Sequence, residues 1–273
     1  MTDLRDMRKI SETIAGGEIL ILDGAMGTMI QRYGLQEQDF HSGIFSGCPK
    51  ELKGNNECLN LTRPEIIRAI HEEYINAGAD IIETNTFSAN RISQEEYGCA
   101  EYAFDMAYAG ARIAREAADK AAVIADGKAT KSCSGHRKIY VAGSIGPTSK
   151  SLSLSPDMND PAFRAVSFDE MAEAYGEQIR GLLLGGVDII LMETCFDALN
   201  VKAALYALEK LMKTPEVSEN AGIRERLSED GHFPVIVSVS VSDRSGRTLT
   251  GQTLDAFYTS VRHYPLTAFG LNC

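Results

Sequence analysis

The sequence predicts an α/β fold on a parallel sheet: a (βα)8 barrel of the TIM type that stops after its sixth strand. Three observations predict it. Short β-branched runs alternate with longer amphipathic stretches, which is the pattern of βα units. One such unit recurs within the chain. And the last apolar run is the last thing in the sequence.

The apolar runs are Glu18–Asp23, Ala79–Thr84, Ile139–Ser144, Val187–Thr194, Pro234–Val241 and Thr267–Cys273. They are nearly continuous in Val, Ile and Leu, as strands covered on both faces should be. Helical periodicity fills the gaps at Arg63–Ala77, about Ala100–Ala125, Phe168–Gly185, Ala198–Met212 and Leu254–His263. Thr62 with Pro64 and Glu65 reads as one helix start, and Ser167 with Glu170 as another, because a hydroxyl cap and a Glu three residues on satisfy free backbone N–H groups.

That alternation fits both an open doubly wound sheet and a barrel. The repeat favours the barrel: GADIIETNTF (78–87) and GVDIILMETCFD (186–197) each run from a small turn through Asp and an apolar run to Glu-Thr. An eight-strand barrel needs two further βα units, so residues 1–273 are read as one barrel domain lacking its C-terminal units.

Bulk properties exclude several classes. The formal net charge of -11 argues against a nucleic-acid surface, which needs clustered Lys and Arg. No stretch approaches the roughly 20 apolar residues of a membrane span, and the N-terminus is no signal peptide. The six cysteines show no CxxC pair, so reduced thiols in a cytoplasmic protein are expected. No glycine fingerprint follows any strand, which sets aside a dinucleotide-binding dehydrogenase.

Barrels of this type carry their chemistry at the C-terminal ends of the strands. Those ends hold Asp23-Gly24, Glu83-Thr84-Asn85, Ser144, Glu193-Thr194, Ser238–Ser242 and Asn272-Cys273. Carboxylates without basic partners suit a cationic group such as an amino acid's ammonium. A rim thiol suits a soft metal or covalent work, since thiolate is both nucleophile and zinc ligand. One Cys cannot hold zinc, and Cys195 is the only rival to Cys273. Taken singly, Asp23-Gly24 also reads as a plain turn, Glu83 and Glu193 as helix caps or ion-pair partners, and Cys273 as a small apolar residue. Cys48, Cys58, Cys99 and Cys133 read as inert, and His136, like the other histidines, lacks metal spacing.

Seven blocks carry a resemblance: LDGAMGTMIQ (22–31), LKGNNECLNLTRPEII (52–67), ADIIETNTFSAN (79–90), AGSIGPTSKSLSLSPD (142–157), ETCFDALN (193–200), GRTLTGQ (246–252) and GLNC (270–273). From about residue 10 to its end the chain resembles the N-terminal, homocysteine-binding module of cobalamin-dependent methionine synthases, in the homocysteine S-methyltransferase family. The KGNN and SLSLSPD segments look like methionine synthase rather than the betaine- or S-methylmethionine-using enzymes. The resemblance implies a zinc ion held by three cysteines. Cys273 matches the first, while the Gly-Gly-Cys-Cys element that supplies the others has no counterpart here, so the site is incomplete. It further implies that Asp23 and Gly24 meet the amino-acid portion of homocysteine and that Glu193 receives its ammonium. Glu83, Asn85 and Ser144 line the same rim, and Cys195 is a bystander. The implied methyl donor is methylcobalamin, carried by a separate module and remethylated by a folate-binding module. Two other readings stand beside it: a non-catalytic truncated fragment, and a cobalamin-independent thiol or homocysteine methyltransferase.

Overall fold

A computed structural model describes residues 9–127, 138–241 and 244–273. Cys133, His136 and Ser242 lie outside the described residues. Five strands form one sheet, β1 (Ile81–Glu83), β2 (Tyr140–Ile145), β3 (Ile189–Cys195), β4 (Val235–Val239) and β5 (Ala268–Leu271), ordered β1-β2-β3-β4-β5 with every pairing parallel. This order decides between the two folds left open by the pattern. A doubly wound sheet reverses its strand order at a switch point, whereas here each strand lies beside the one before it, as in a barrel wall.

The run expected as the first strand, Glu18–Asp23, contributes only a parallel bridge, Leu22 to Ile81. Asp80 and Ile81 donate to the Ile21 carbonyl (2.7 and 3.1 Å), and Asp23 donates to that of Ile81 (2.9 Å). This segment has a sheet neighbour on one side, and Ile19, Ile21 and Leu22 are exposed.

Four of the five expected helices lie where periodicity places them, at Pro64–Ala77, Phe168–Gly185, Ala198–Leu211 and Leu254–Val261, and the fifth runs over Ala103–Gly127. Ser167 caps its helix as expected, accepting from Glu170 N–H while Glu170 reaches back. Thr62 does not. It ends a short preceding helix, and Arg63 holds the cap position before Pro64. Thr62 Oγ1 bonds the Cys58 carbonyl instead (3.2 Å), a back-bond that competes with capping.

The repeated unit is a structural repeat. Pro64–Ala77 and Phe168–Gly185 both end on a left-handed glycine, Gly78 (φ 115) and Gly186 (φ 98), a conformation that costs a Cβ-bearing residue about 1–2 kcal/mol. Two residues later Asp80 accepts Ile21 N–H (2.8 Å) and Asp188 accepts Val141 N–H (2.8 Å), each from the preceding strand position.

Side chains alternate across the sheet. Ile82, Val141, Ile190, Met192, Val235, Val237 and Val239 face the helices in the main core. Ile81, Tyr140, Ala142, Ile189 and Leu191 face the other way and pack with Ile10, on the short N-terminal helix Ile10–Ala15. Extending this second row toward the C-terminal strand ends reaches Glu83, Ser144 and Glu193. Among the described residues no helix is long and apolar enough to cross a membrane.

Candidate functional site

The second row opens into a cavity of about 570 Å³ at the C-terminal ends of the strands. Asp23, Gly24, Glu83, Asn85, Ser144, Glu193 and Cys273, the residues expected from the sequence, all line it.

Asp23 continues the edge segment past its bridge. One carboxylate oxygen accepts Glu83 N–H (3.0 Å), and the other is buried without a hydrogen-bond partner. Gly24 is there for room: a Cβ would lie 3.1 Å from the Tyr74 hydroxyl and 3.2 Å from its ring, and that hydroxyl bonds the Ala25 carbonyl (3.3 Å). The segment is thereby laid against the helix that precedes β1.

Glu83 ends β1, and no Arg or Lys reaches it among the described residues. Burial pushes its carboxyl up to about 9, with repulsion from Glu193 and Asp23 adding to the shift. Burial pushes Asp23 up to about 7, with Glu193 again contributing. Glu193 is also raised by burial, against a short bond from Ser144 Oγ (2.5 Å) that stabilises its charged form. Asp23, Glu83 and Glu193 thus share one cavity, and among the described residues no Lys or Arg lines it. Charged together they repel, and burial with this repulsion holds the Asp23 and Glu83 carboxyls above the usual carboxylate range.

Two polar frameworks hold this rim. Thr84 Oγ1 accepts Ser144 N–H (3.0 Å) and pairs with Thr86 Oγ1 (2.6 Å), which donates to the Ser144 carbonyl (2.8 Å). Asn85 donates to the Asn56 carbonyl and to Asn60 Oδ1 (2.8 and 2.9 Å), while Asn60 donates back to the Asn85 carbonyl (2.7 Å). Asn85 therefore ties the KGNN segment to the end of β1.

The second framework is Asn272. Its Oδ1 accepts Thr194 N–H (3.0 Å) and Ser238 Oγ (2.9 Å), and its Nδ2 donates to Thr194 Oγ1 (2.8 Å). Thr194 sits at φ 56, a left-handed backbone rare for a β-branched residue, and the register of β3 shifts between Met192 and Cys195. This bulge resets the alternation. By simple parity Cys195 would follow Glu193 into the cavity. Instead it pairs with Val239 and turns to the helix side, where it is buried beside Tyr175, Met192 and Val201. That rules it out as a second thiol on the rim.

Cys273 is exposed at the cavity edge, 3.6 Å from Asn272 Nδ2. Among the described residues no group of three His, Cys, Asp or Glu is placed to hold a metal ion. A zinc site needs three protein ligands, and these residues supply one thiol. The donor set present does not by itself fit zinc.

Sequence reasoning missed Glu57. It lies in the NNECLN segment, is buried at the cavity wall, accepts Ser88 N–H (2.8 Å), and its carboxyl is raised by burial. Its acidity was visible, but nothing in its spacing placed it opposite a strand end. The SLSLSPD segment is a scaffold instead: Asp197 accepts both Ser151 Oγ and Ser153 Oγ (2.5 and 2.6 Å), and Asn200 Oδ1 accepts Leu152 N–H (3.0 Å).

A family model for homocysteine S-methyltransferase matches residues 20–273. Among solved structures the chain is similar to the homocysteine methyltransferase MmuM from Escherichia coli. Against the oxidized form the TM-score is 0.67 at 20% identity, covering 96% of this chain and 76% of that chain. The apo form gives 0.61 at 19%, covering 98% and 76%, and the metallated form 0.56 at 16%, covering 96% and 94%. At these identities the likeness is one of fold.

Proposed function

The chain belongs to the homocysteine S-methyltransferase family, and from that premise we propose that its cavity binds homocysteine by the ammonium group and presents the sulfur at the rim beside Cys273. The observation that carries this reading is the convergence of Asp23, Glu83 and Glu193 on one cavity without a basic partner. An ammonium is the charge that such a site lacks. It would relieve the repulsion and let the carboxylates ionise, so desolvation that burdens the free site becomes attraction in the complex. Glu193 is the best-oriented acceptor, held by Ser144. Asp23 and the open backbone at Gly24 face the amino-acid portion, and Asn85 with Ser144 fixes the walls.

The finer assignment is to the homocysteine module of a cobalamin-dependent methionine synthase, one barrel domain of which residues 1–273 carry the first six sheet positions. The KGNN and SLSLSPD segments support it, and the sequential strand order supports the barrel. In that setting Cys273 gives one thiolate ligand to zinc, further ligands come from outside these residues, and the methyl group comes from methylcobalamin on a separate module. The described residues do not complete that metal site, so for this polypeptide alone we propose ligand binding without methyl transfer.

Calorimetric titration with homocysteine and with its des-amino analogue tests the reading on the chain as it stands. Homocysteine should bind and the analogue should bind far more weakly, while Glu193→Gln costs roughly 10- to 100-fold in homocysteine affinity, the worth of a charge-assisted hydrogen bond. Equal affinity for the two thiols would sink the ammonium role.

A further inference from the structure

Away from the cavity, three cysteines meet that the sequence scatters over 52 positions, from Cys48 to Cys99. Cys48 Sγ and Cys99 Sγ lie 3.6 Å apart, and the buried Cys58 thiol lies against Cys99. Cys99 and Cys58 are fully buried, whereas Cys48 is partly exposed. No set of three donors among the described residues is arranged for a metal, so the cluster is read through the chemistry of two touching sulfurs.

We propose that Cys48 and Cys99 are an oxidation site that closes to an intramolecular disulfide, with a hydroperoxide as the oxidant. The Cys48 sulfur, the one solvent reaches, attacks the peroxide O–O bond. The bond breaks, water leaves, and Cys48 holds a sulfenic acid. The Cys99 sulfur then attacks the Cys48 sulfur, the S–O bond breaks, and a second water carries away the thiol proton. Two thiols and one hydrogen peroxide give one disulfide and two waters. Both sulfurs are oxidised by one electron each and both peroxide oxygens are reduced.

Among the described residues, geometry favours this pair. A disulfide needs an S–S distance near 2.05 Å, so closure draws the sulfurs together by about 1.5 Å, within reach of side-chain rotation plus a small loop adjustment. The two loops are already docked. Lys50 Nζ donates to the carbonyls of Glu95 and Glu96 (3.2 and 2.7 Å), and Asn55 and Gln94 exchange side-chain bonds (2.7 and 3.1 Å). Cys48 is the sulfur that solvent reaches and Cys99 is fully buried against it, so Cys48 is the entry point and Cys99 the resolving partner. The cross-link would staple the segment leading to Gly54, Asn56 and Glu57, which wall the cavity, to the turn at Glu95–Cys99.

The full chain, treated with mild hydrogen peroxide, then alkylated, digested and mapped by mass spectrometry, tests the proposal. Cys48 and Cys99 should be recovered as one cross-linked peptide lighter by two hydrogens, reversed by dithiothreitol, with Cys58 alkylated only after unfolding. Cys48→Ser should abolish that peptide while circular dichroism shows an intact fold, and Cys58→Ser should leave it. Recovery of Cys48 as sulfinic acid with Cys99 still a free thiol would overturn the proposal, as would a bridge from Cys48 to Cys58.

Discussion

The two ends of the strands use acidic residues in opposite ways. At the N-terminal ends, Asp188 accepts Val141 N–H and is flanked by two guanidiniums, Arg115 (2.8 Å) and Arg226 (3.2 Å). At the C-terminal ends of the same sheet, Glu83, Glu193 and Asp23 crowd together, and among the described residues no cation reaches them and one Asp23 oxygen has no partner. Strand β3 carries both cases five residues apart, Asp188 just before it and Glu193 within it. Charge at one end is spent on holding the wall together. At the other it is held unsatisfied, which costs stability and is worth keeping only where a ligand supplies the missing cation.

The largest effect should come from breaking the satisfied end. Asp188→Ala leaves two buried or partly buried guanidiniums and a strand N–H without their acceptor, and should cost about 3–5 kcal/mol of folding stability by denaturant titration. A loss under about 1 kcal/mol would mean that the pairing is a surface matter and would dissolve the contrast between the two ends.

The unsatisfied end should respond with the opposite sign. Glu83→Gln removes a group whose folded pKa lies near 9 against an ordinary 4.5. A raised carboxyl contributes stability that is full below about 4.5 and is lost as pH rises through about 9. The variant should therefore be more stable than the parent at pH 8, by roughly 1–3 kcal/mol, and the gap should close as pH falls toward 4.5. Ligand binding should suffer in exchange. Methionine, a probe with no titrating thiol, should bind the parent more tightly as pH rises from 6 to 8 and release protons on binding, seen by calorimetry in two buffers. A variant less stable than its parent at pH 8 would show that Glu83 is satisfied after all.

This contrast between ends was only half legible in the sequence. The positions of Asp23, Glu83 and Glu193 followed from the ends of the apolar runs, because a buried run of Val, Ile and Leu marks where a strand stops and its polar rim begins. The repeat at Gly78 and Gly186 was legible for the same reason: a left-handed cap and an Asp two residues on are local requirements. Glu57 and the Cys48–Cys99 contact were not legible, since both depend on loops from separate units meeting in space. Cys195 was expected to be a bystander, and it is one, but the reason was not legible: a bulge in β3 turns it to the helix side and leaves no mark in composition.

That bulge offers the smallest and sharpest test. Thr194 bears a left-handed backbone that costs a β-branched residue about 1–2 kcal/mol, held in place by two bonds from Asn272. Asn272→Ala should lose about 1–2 kcal/mol. Thr194→Gly should recover part of that loss in the double variant, because glycine adopts the conformation without strain. The pair should therefore be non-additive, with an interaction of about 0.5–1 kcal/mol. If the bulge also decides which way β3 presents its side chains, Cys195 should become reactive to a thiol reagent in Asn272→Ala and protected again in the double variant. Strict additivity with unchanged Cys195 reactivity would instead place the cause of the bulge in the packing of β3 against β4.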